Sequence, residues 1–197
     1  MSYEVGLVVK FGSYPQSDVT GNTKEPLTWK VLKVEGGKAL LITEFGIDNK
    51  MFHNGNMNLT WDTCDMRKWL NEDFMDIAFA ADEKAKIVES TLEIKGSTVH
   101  GAPGCANTVD KVFPLSIDEA KELFASDEER GCKATPYAAA KGAFCHASTG
   151  NCWWWLRNPG YYPSDTAGVN YLGYIHESGD NVSSPSDAVR PAIWVQA

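Results

Sequence analysis

The chain has 197 residues, 43% of them apolar, which is enough for one domain with its own core and too apolar for a disordered segment. Its net charge of −8 comes without a basic stripe, which argues against a nucleic-acid partner, because neutralising phosphate takes clustered Lys and Arg. Five cysteines, an odd number with no Cys-x-x-Cys spacing, predict buried reduced thiols rather than a disulfide framework.

The segment from Met1 to Val9 has no basic region followed by a long apolar run. No window approaches the roughly 18 apolar residues of a membrane-spanning helix. The expectation is a protein that is cytoplasmic or exported as part of an assembly, with no membrane insertion.

In chain order, Tyr3 to Phe11 alternates as a strand, and Gly12-Ser13-Tyr14-Pro15 reads as a turn. Residues 17 to 26 read as a polar loop. Leu27 to Val34 is a strand, Gly36-Gly37 a tight turn, and Lys38 to Phe45 the antiparallel return. Residues 46 to 59 are irregular. Met66, Trp69, Leu70 and Phe74 form one apolar stripe, predicting a helix capped by Asp62 or Thr63. A short helix is expected over Asp82 to Val88 with Ala85 and Val88 inward. A strand follows over 89 to 96, and a loop over 97 to 109.

Lys111 to Leu115 reads as a short edge strand because of its proline. Ser116 and Glu119 form a capping box for a helix to about Phe124. Ser126 to Arg130 is an acidic turn. Thr135-Pro136 opens a short Ala-rich helix, and 142 to 150 is a loop. Few strands, short central helices and a loop-rich strand region predict an α+β domain, 1–197, with 1–150 as scaffold and 151–197 as the ligand-binding part.

That last part is the most distinctive. Cys152-Trp153-Trp154-Trp155-Leu156-Arg157 puts large rings on both faces of a strand. The passage to Val189 is rich in Tyr, Ser, Asn and Gly. This composition suits adaptable recognition, and it equally suits ordinary polar loops with Gly and Pro turns.

No catalytic motif is present, and His53, His100, His146 and His176 are scattered. The Asp and Glu pairs at helix starts are explained by the helix dipole. Arg157 and Arg190 sit inside apolar stretches and need partners. They are expected to tie loops to the sheet through Asp165, Asp187 or Asp62.

The motifs Phe11-Gly12-Ser13-Tyr14-Pro15-Gln16, the Trp29-Lys30-Val31-Leu32 hairpin, Thr60-Trp61 before Arg67-Lys68-Trp69-Leu70-Asn71, Phe113-Pro114-Leu115-Ser116, Trp154-Trp155-Leu156-Arg157-Asn158-Pro159-Gly160 and Val189-Arg190-Pro191-Ala192 together resemble a bacterial domain family of unassigned function. The C-terminal half is similar to the C-type-lectin-like fold, in the branch of formylglycine-generating enzymes and the variable proteins of diversity-generating retroelements. That likeness implies a twisted antiparallel sheet with two to four short helices and long loops. It also implies a non-enzymatic domain that binds a protein or glycan surface. The matching ligand-binding positions are Trp154, Asn158, Tyr161, Tyr162, Asp165, Asn170, Tyr171, Tyr174, His176 and Asn181, with Arg157 and Arg190 structural. No cofactor is implied. The alternative is a metal-dependent enzyme like the formylglycine-generating ones, with Cys145, His146, Cys152 and His176 lining its site. The Glu-Pro-Asn or Gln-Pro-Asp type of motif that holds calcium in C-type lectins is missing.

Overall fold

The computed structural model describes residues 3–55 and 57–197. Met1 and Ser2, in the segment read for a leader, and Asn56, in the irregular 46–59 stretch, lie outside them. The described chain is mixed α+β, with curled antiparallel sheets and few short helices.

The first sheet is built on the expected hairpin. Strand β2 (Glu25–Glu35) turns at Gly36 and Gly37 into β3 (Lys38–Thr43). Both glycines have positive φ, 56° and 74°, which is what a two-residue hairpin turn of this hand requires. On the far side of β2 lies β1 (Val8–Tyr14). This strand starts later than Tyr3 because Gly6, at φ 86°, turns the chain where Leu7 N–H bonds back to Glu4. It also runs through the expected turn. Gly12, at φ 68°, makes a bulge there, and Tyr14 still pairs with Glu25.

The stripe from Met66 to Phe74 does form a helix. It comprises α1 (Asp65–Trp69), a π turn over Leu70–Phe74, and α2 (Met75–Ala78). Met66, Leu70 and Phe74 are buried. Its cap is Cys64, whose Sγ accepts from Arg67 N–H at 3.4 Å, while Asp62 and Thr63 belong to a preceding 3-10 turn. The next helix, α3, covers only Ala81–Lys84. Ala85 is exposed, and Ile87 is buried in β5 (Ile87–Val88), which joins the first sheet. There a sheet neighbour overrides helical spacing.

Strand β6 (Ser90–Ile94) pairs with β7 (Cys105–Asp110), so the last five residues of the expected 97–109 loop are strand. After β8 (Val112–Phe113) comes α4 (Ile117–Glu122) with the capping box intact. Ser116 Oγ accepts from Glu119 N–H at 3.1 Å, and Glu119 Oε2 accepts from Ser116 N–H at 2.8 Å. Then follow α5 (Asp127–Arg130) and α6 (Pro136–Ala140), the latter capped by Thr135.

The second sheet holds the distinctive stretch, with β9 (Trp154–Pro159) at its centre and every residue of that strand buried. The passage read as polar loops contains a hairpin, β10 (Asp165–Val169) and β11 (Ile175–Asn181). Gly179, at φ 75°, lies under the Thr166 carbonyl, where a Cβ would sit 2.4 Å from the oxygen. Strand order is β11-β10-β9-β12-β4, with β12 at Ala188–Val189 and β4 at Asp48–Asn49. From β12 the chain passes through Arg190-Pro191 into β13 (Ala192–Gln196), which pairs with β3 in the first sheet. The Val-Arg-Pro-Ala motif is therefore the crossing between the two sheets. Trp29, Trp61, Trp154, Trp155, Phe52, Phe74 and Phe113 fill the core. Burying each large ring removes roughly 150–250 Å² from water, about 4–6 kcal/mol at the usual coefficient.

Candidate functional site

The two arginines are buried, as expected, but their partners differ from the predicted aspartates. Arg157 Nη2 donates to Glu119 Oε1 at 2.9 Å, and its Nη1 donates to Glu119 Oε2 at 2.5 Å and to the Pro114 carbonyl at 2.9 Å. Arg190 Nε donates to the Thr43 carbonyl at 3.0 Å and Nη1 to the Arg130 carbonyl at 2.8 Å. Its guanidinium lies over the rings of Trp154, at 5.0 Å, and Phe124, at 5.5 Å. Carbonyls and ring faces thus hold this cation at the sheet crossing.

Two of the predicted ligand contacts are corrected by burial. Trp154 is 0% exposed, because β9 is flanked by β10 and β12 and covered on both faces. Asn158 is 4% exposed. Its Oδ1 accepts from Ile117 N–H at 2.8 Å and its Nδ2 donates to the Lys95 carbonyl at 3.3 Å, so it joins β9 to α4 and to the end of β6.

The remaining predicted residues fall into two groups, at opposite ends of β10. Five strand residues separate those ends by roughly 15 Å. At the start of β10, Tyr161 and Tyr162 are 37% and 60% exposed. Tyr161 stacks on His100 with centroids 4.3 Å apart, and its edge meets Tyr162 at 4.8 Å. Asp165 helps to shape this turn, its backbone N–H donating to the Tyr162 carbonyl at 2.9 Å.

At the far end, Asn170 organises the turn into β11. Its Oδ1 accepts from Leu172 N–H at 2.9 Å and Tyr174 N–H at 3.1 Å. Around that turn the rings gather. Tyr171 stacks on His146 at 4.4 Å with planes 4° apart, and Phe144 tilts against Tyr171 at 5.7 Å. Trp153 meets His176 edge to face at 5.5 Å. Phe144, Leu172 and Tyr174 are 39%, 50% and 54% exposed. Asn181, half-buried, lies back at the start of β10 opposite Asp165, where its Oδ1 accepts from Ser183 N–H at 3.0 Å and Ser183 Oγ at 2.6 Å, closing the turn after β11.

The sequence reading missed His100, Phe144 and Trp153. Trp153 carried a signal in the Trp triplet, but it lies just before β9, which begins at Trp154 and is buried throughout. His100 and Phe144 come from loops distant in sequence, and only tertiary packing brings them to the tyrosines.

The group Cys145, His146, Cys152 and His176 is not assembled as a site. Cys152 is buried against Cys132, with Sγ atoms 3.6 Å apart, while His146 and His176 pack on different rings. Among the described residues, no three His, Cys, Asp or Glu side chains are placed to hold a metal ion.

No curated protein and no solved structure matches the chain. The profile of one family, described as a domain of unknown function (DUF6273), matches residues 36–197 and so covers both the hairpin return β3 and the whole second sheet. The chain belongs to that family.

Proposed function

We propose that this is a non-enzymatic ligand-binding domain, C-type-lectin-like in fold, that presents aromatic rings of its C-terminal part to a protein or glycan surface. The observation that carries the reading is the ring cluster at the far end of β10. There Phe144 and His146 pack on Tyr171, and Trp153 meets His176, near exposed Tyr174 and a turn whose backbone is fixed by Asn170. Rigid rings lose little entropy on contact, and their faces stack on sugar C–H surfaces or on apolar side chains. The net charge of −8 disfavours nucleic acid. No helix among the described residues is long and apolar enough to cross a membrane.

Probing a glycan and protein array with the purified chain, followed by titration of the hits, tests this. The double variant Phe144→Ala/Tyr174→Ala is expected to lose at least tenfold in affinity with its thermal melt nearly unchanged. Tyr161→Ala/Tyr162→Ala, at the other end of β10, serves as comparison. Equal binding by the first variant and the wild type would overturn the assignment.

A further inference from the structure

One buried pair of reactive groups plays no part in that ligand surface. Cys132 follows α5, and Cys152 precedes β9. They face each other across a short antiparallel pairing, with Cys152 N–H donating to the Cys132 carbonyl at 2.9 Å and Lys133 bridged to Asn151. Their Sγ atoms are 3.6 Å apart, in van der Waals contact. Gly46 leaves space over the pair, since a Cβ there would stand 2.9 Å from Cys152 Sγ. A disulfide needs about 2.05 Å between sulfurs and facing Cβ atoms, a change that side-chain rotation can supply.

We propose that Cys132 and Cys152 are a modification site, a thiol pair that a hydroperoxide converts reversibly into a disulfide closing the 133–151 loop at its base. Cys132 is the attacking sulfur. Burial pushes its thiol up, but the Cys152 hydrogen bond and the Arg190 guanidinium outweigh that and bring it down, whereas the Cys152 thiol is raised. The Cys132 thiolate attacks one peroxide oxygen, the O–O bond breaks, and the departing hydroxide takes up a proton as water. The Cys152 sulfur then attacks the resulting sulfenic acid. The S–S bond forms, the S–O bond breaks, and a second water leaves. Two thiols lose two electrons and one peroxide becomes two waters. The other cysteines are less suited. Cys64 is buried with its thiol raised by that burial, Cys105 lies on β7, and Cys145, within the 133–151 loop, has its Sγ on the Ala143 carbonyl at 3.5 Å.

The closed loop would span α6 and the segment carrying Phe144 and His146. The bridge would then act by removing freedom from the unfolded chain, with a rise in melting temperature of roughly 6–12 °C.

The test is to reduce the folded full chain, expose it to hydrogen peroxide, alkylate the remaining thiols and map the peptides by mass spectrometry. A peptide linking Cys132 to Cys152, lost on treatment with dithiothreitol and retained in Cys145→Ser, is the expected result. In Cys152→Ser, dimedone is expected to label Cys132. A bridge from Cys145 to Cys152, or oxidation confined to Cys145 and Cys105, would overturn the proposal. The wild-type peptide map alone separates these outcomes, even where a variant fails to fold.

Discussion

Glu119 and Arg157 meet through two hydrogen bonds that join α4, in the middle of the chain, to β9. The Glu119 carboxylate closes the capping box of α4 by accepting from Ser116 N–H, and the same oxygen, Oε2, accepts from Arg157 Nη1. Arg157 is 4% exposed, whereas the Glu119 side chain is about one-third exposed. Arg157→Ala leaves a hole in β9 and frees the carboxylate, and is expected to cost about 3–5 kcal/mol in urea denaturation. Glu119→Gln keeps an acceptor in place near solvent and should cost about 1–2 kcal/mol. Equal costs would mean that the cation, not the shared geometry, dominates.

Asp187 gives a pH signature. It is 1% exposed, next to β12, and burial, with Asp180 adding repulsion, raises its carboxyl from 3.8 to about 7. The folded state therefore holds a proton that the unfolded state releases, and the neutral form is the stable one. Its contribution is full below pH 4 and is lost as pH rises through about 7. Asp187→Asn should flatten the fall in stability across that window and be more stable than the wild type at pH 8, by roughly 2–4 kcal/mol. Chemical denaturation at several pH values checks it, and a wild-type curve flat from pH 4 to 8 would contradict it.

Asp110 is a buried junction, 3% exposed. It accepts from Trp61 Nε1 at 2.9 Å, Thr108 Oγ1 at 2.6 Å and Arg67 Nε at 2.7 Å, and so pins β7 to the start of α1. Asp110→Ala strands a buried indole N–H and an arginine, and is expected to cost about 3–5 kcal/mol. Arg67→Lys, with the cation kept but its side chain 30% exposed, should cost under about 1.5 kcal/mol. The measurement is the denaturation midpoint of each variant.

Gly173 supports the turn beneath the proposed ligand surface. Its φ is 88°, and a Cβ there would lie 1.6 Å from the Asp127 carbonyl oxygen. Gly173→Ala must move either α5 or the 170–174 turn, at an expected cost of more than about 2 kcal/mol. Because Tyr171, Leu172 and Tyr174 sit on that turn, ligand affinity should fall as well. Gly36→Ala, where nothing lies within 4 Å, should cost stability without touching affinity.

The polar stretch after the Trp triplet shows how far the residues alone could be read. Tyr161, Tyr162 and Tyr174, placed among the ligand positions by the family likeness, are exposed. Trp154 and Asn158 are not, because their burial depends on β10 and β12 lying on either side of β9. The hairpin of β10 and β11 was hidden by glycines and polar side chains, whose strand character comes from pairing and not from alternation.

By itself, the amino-acid sequence determined what closes within a few residues. It carried the Gly36-Gly37 hairpin, the Ser116 and Glu119 capping box, the Thr135-Pro136 helix start and the apolar stripe from Met66 to Phe74. Each is set by local dihedrals and hydrogen bonds between near neighbours. Tertiary structure alone decided the partners far along the chain. It placed Arg157 on Glu119, Arg190 on the Thr43 and Arg130 carbonyls, Cys132 against Cys152, and His146 on Tyr171. Those pairings follow from which strands lie side by side across the core, and the burial of whole surfaces sets that order, not any short run of residues.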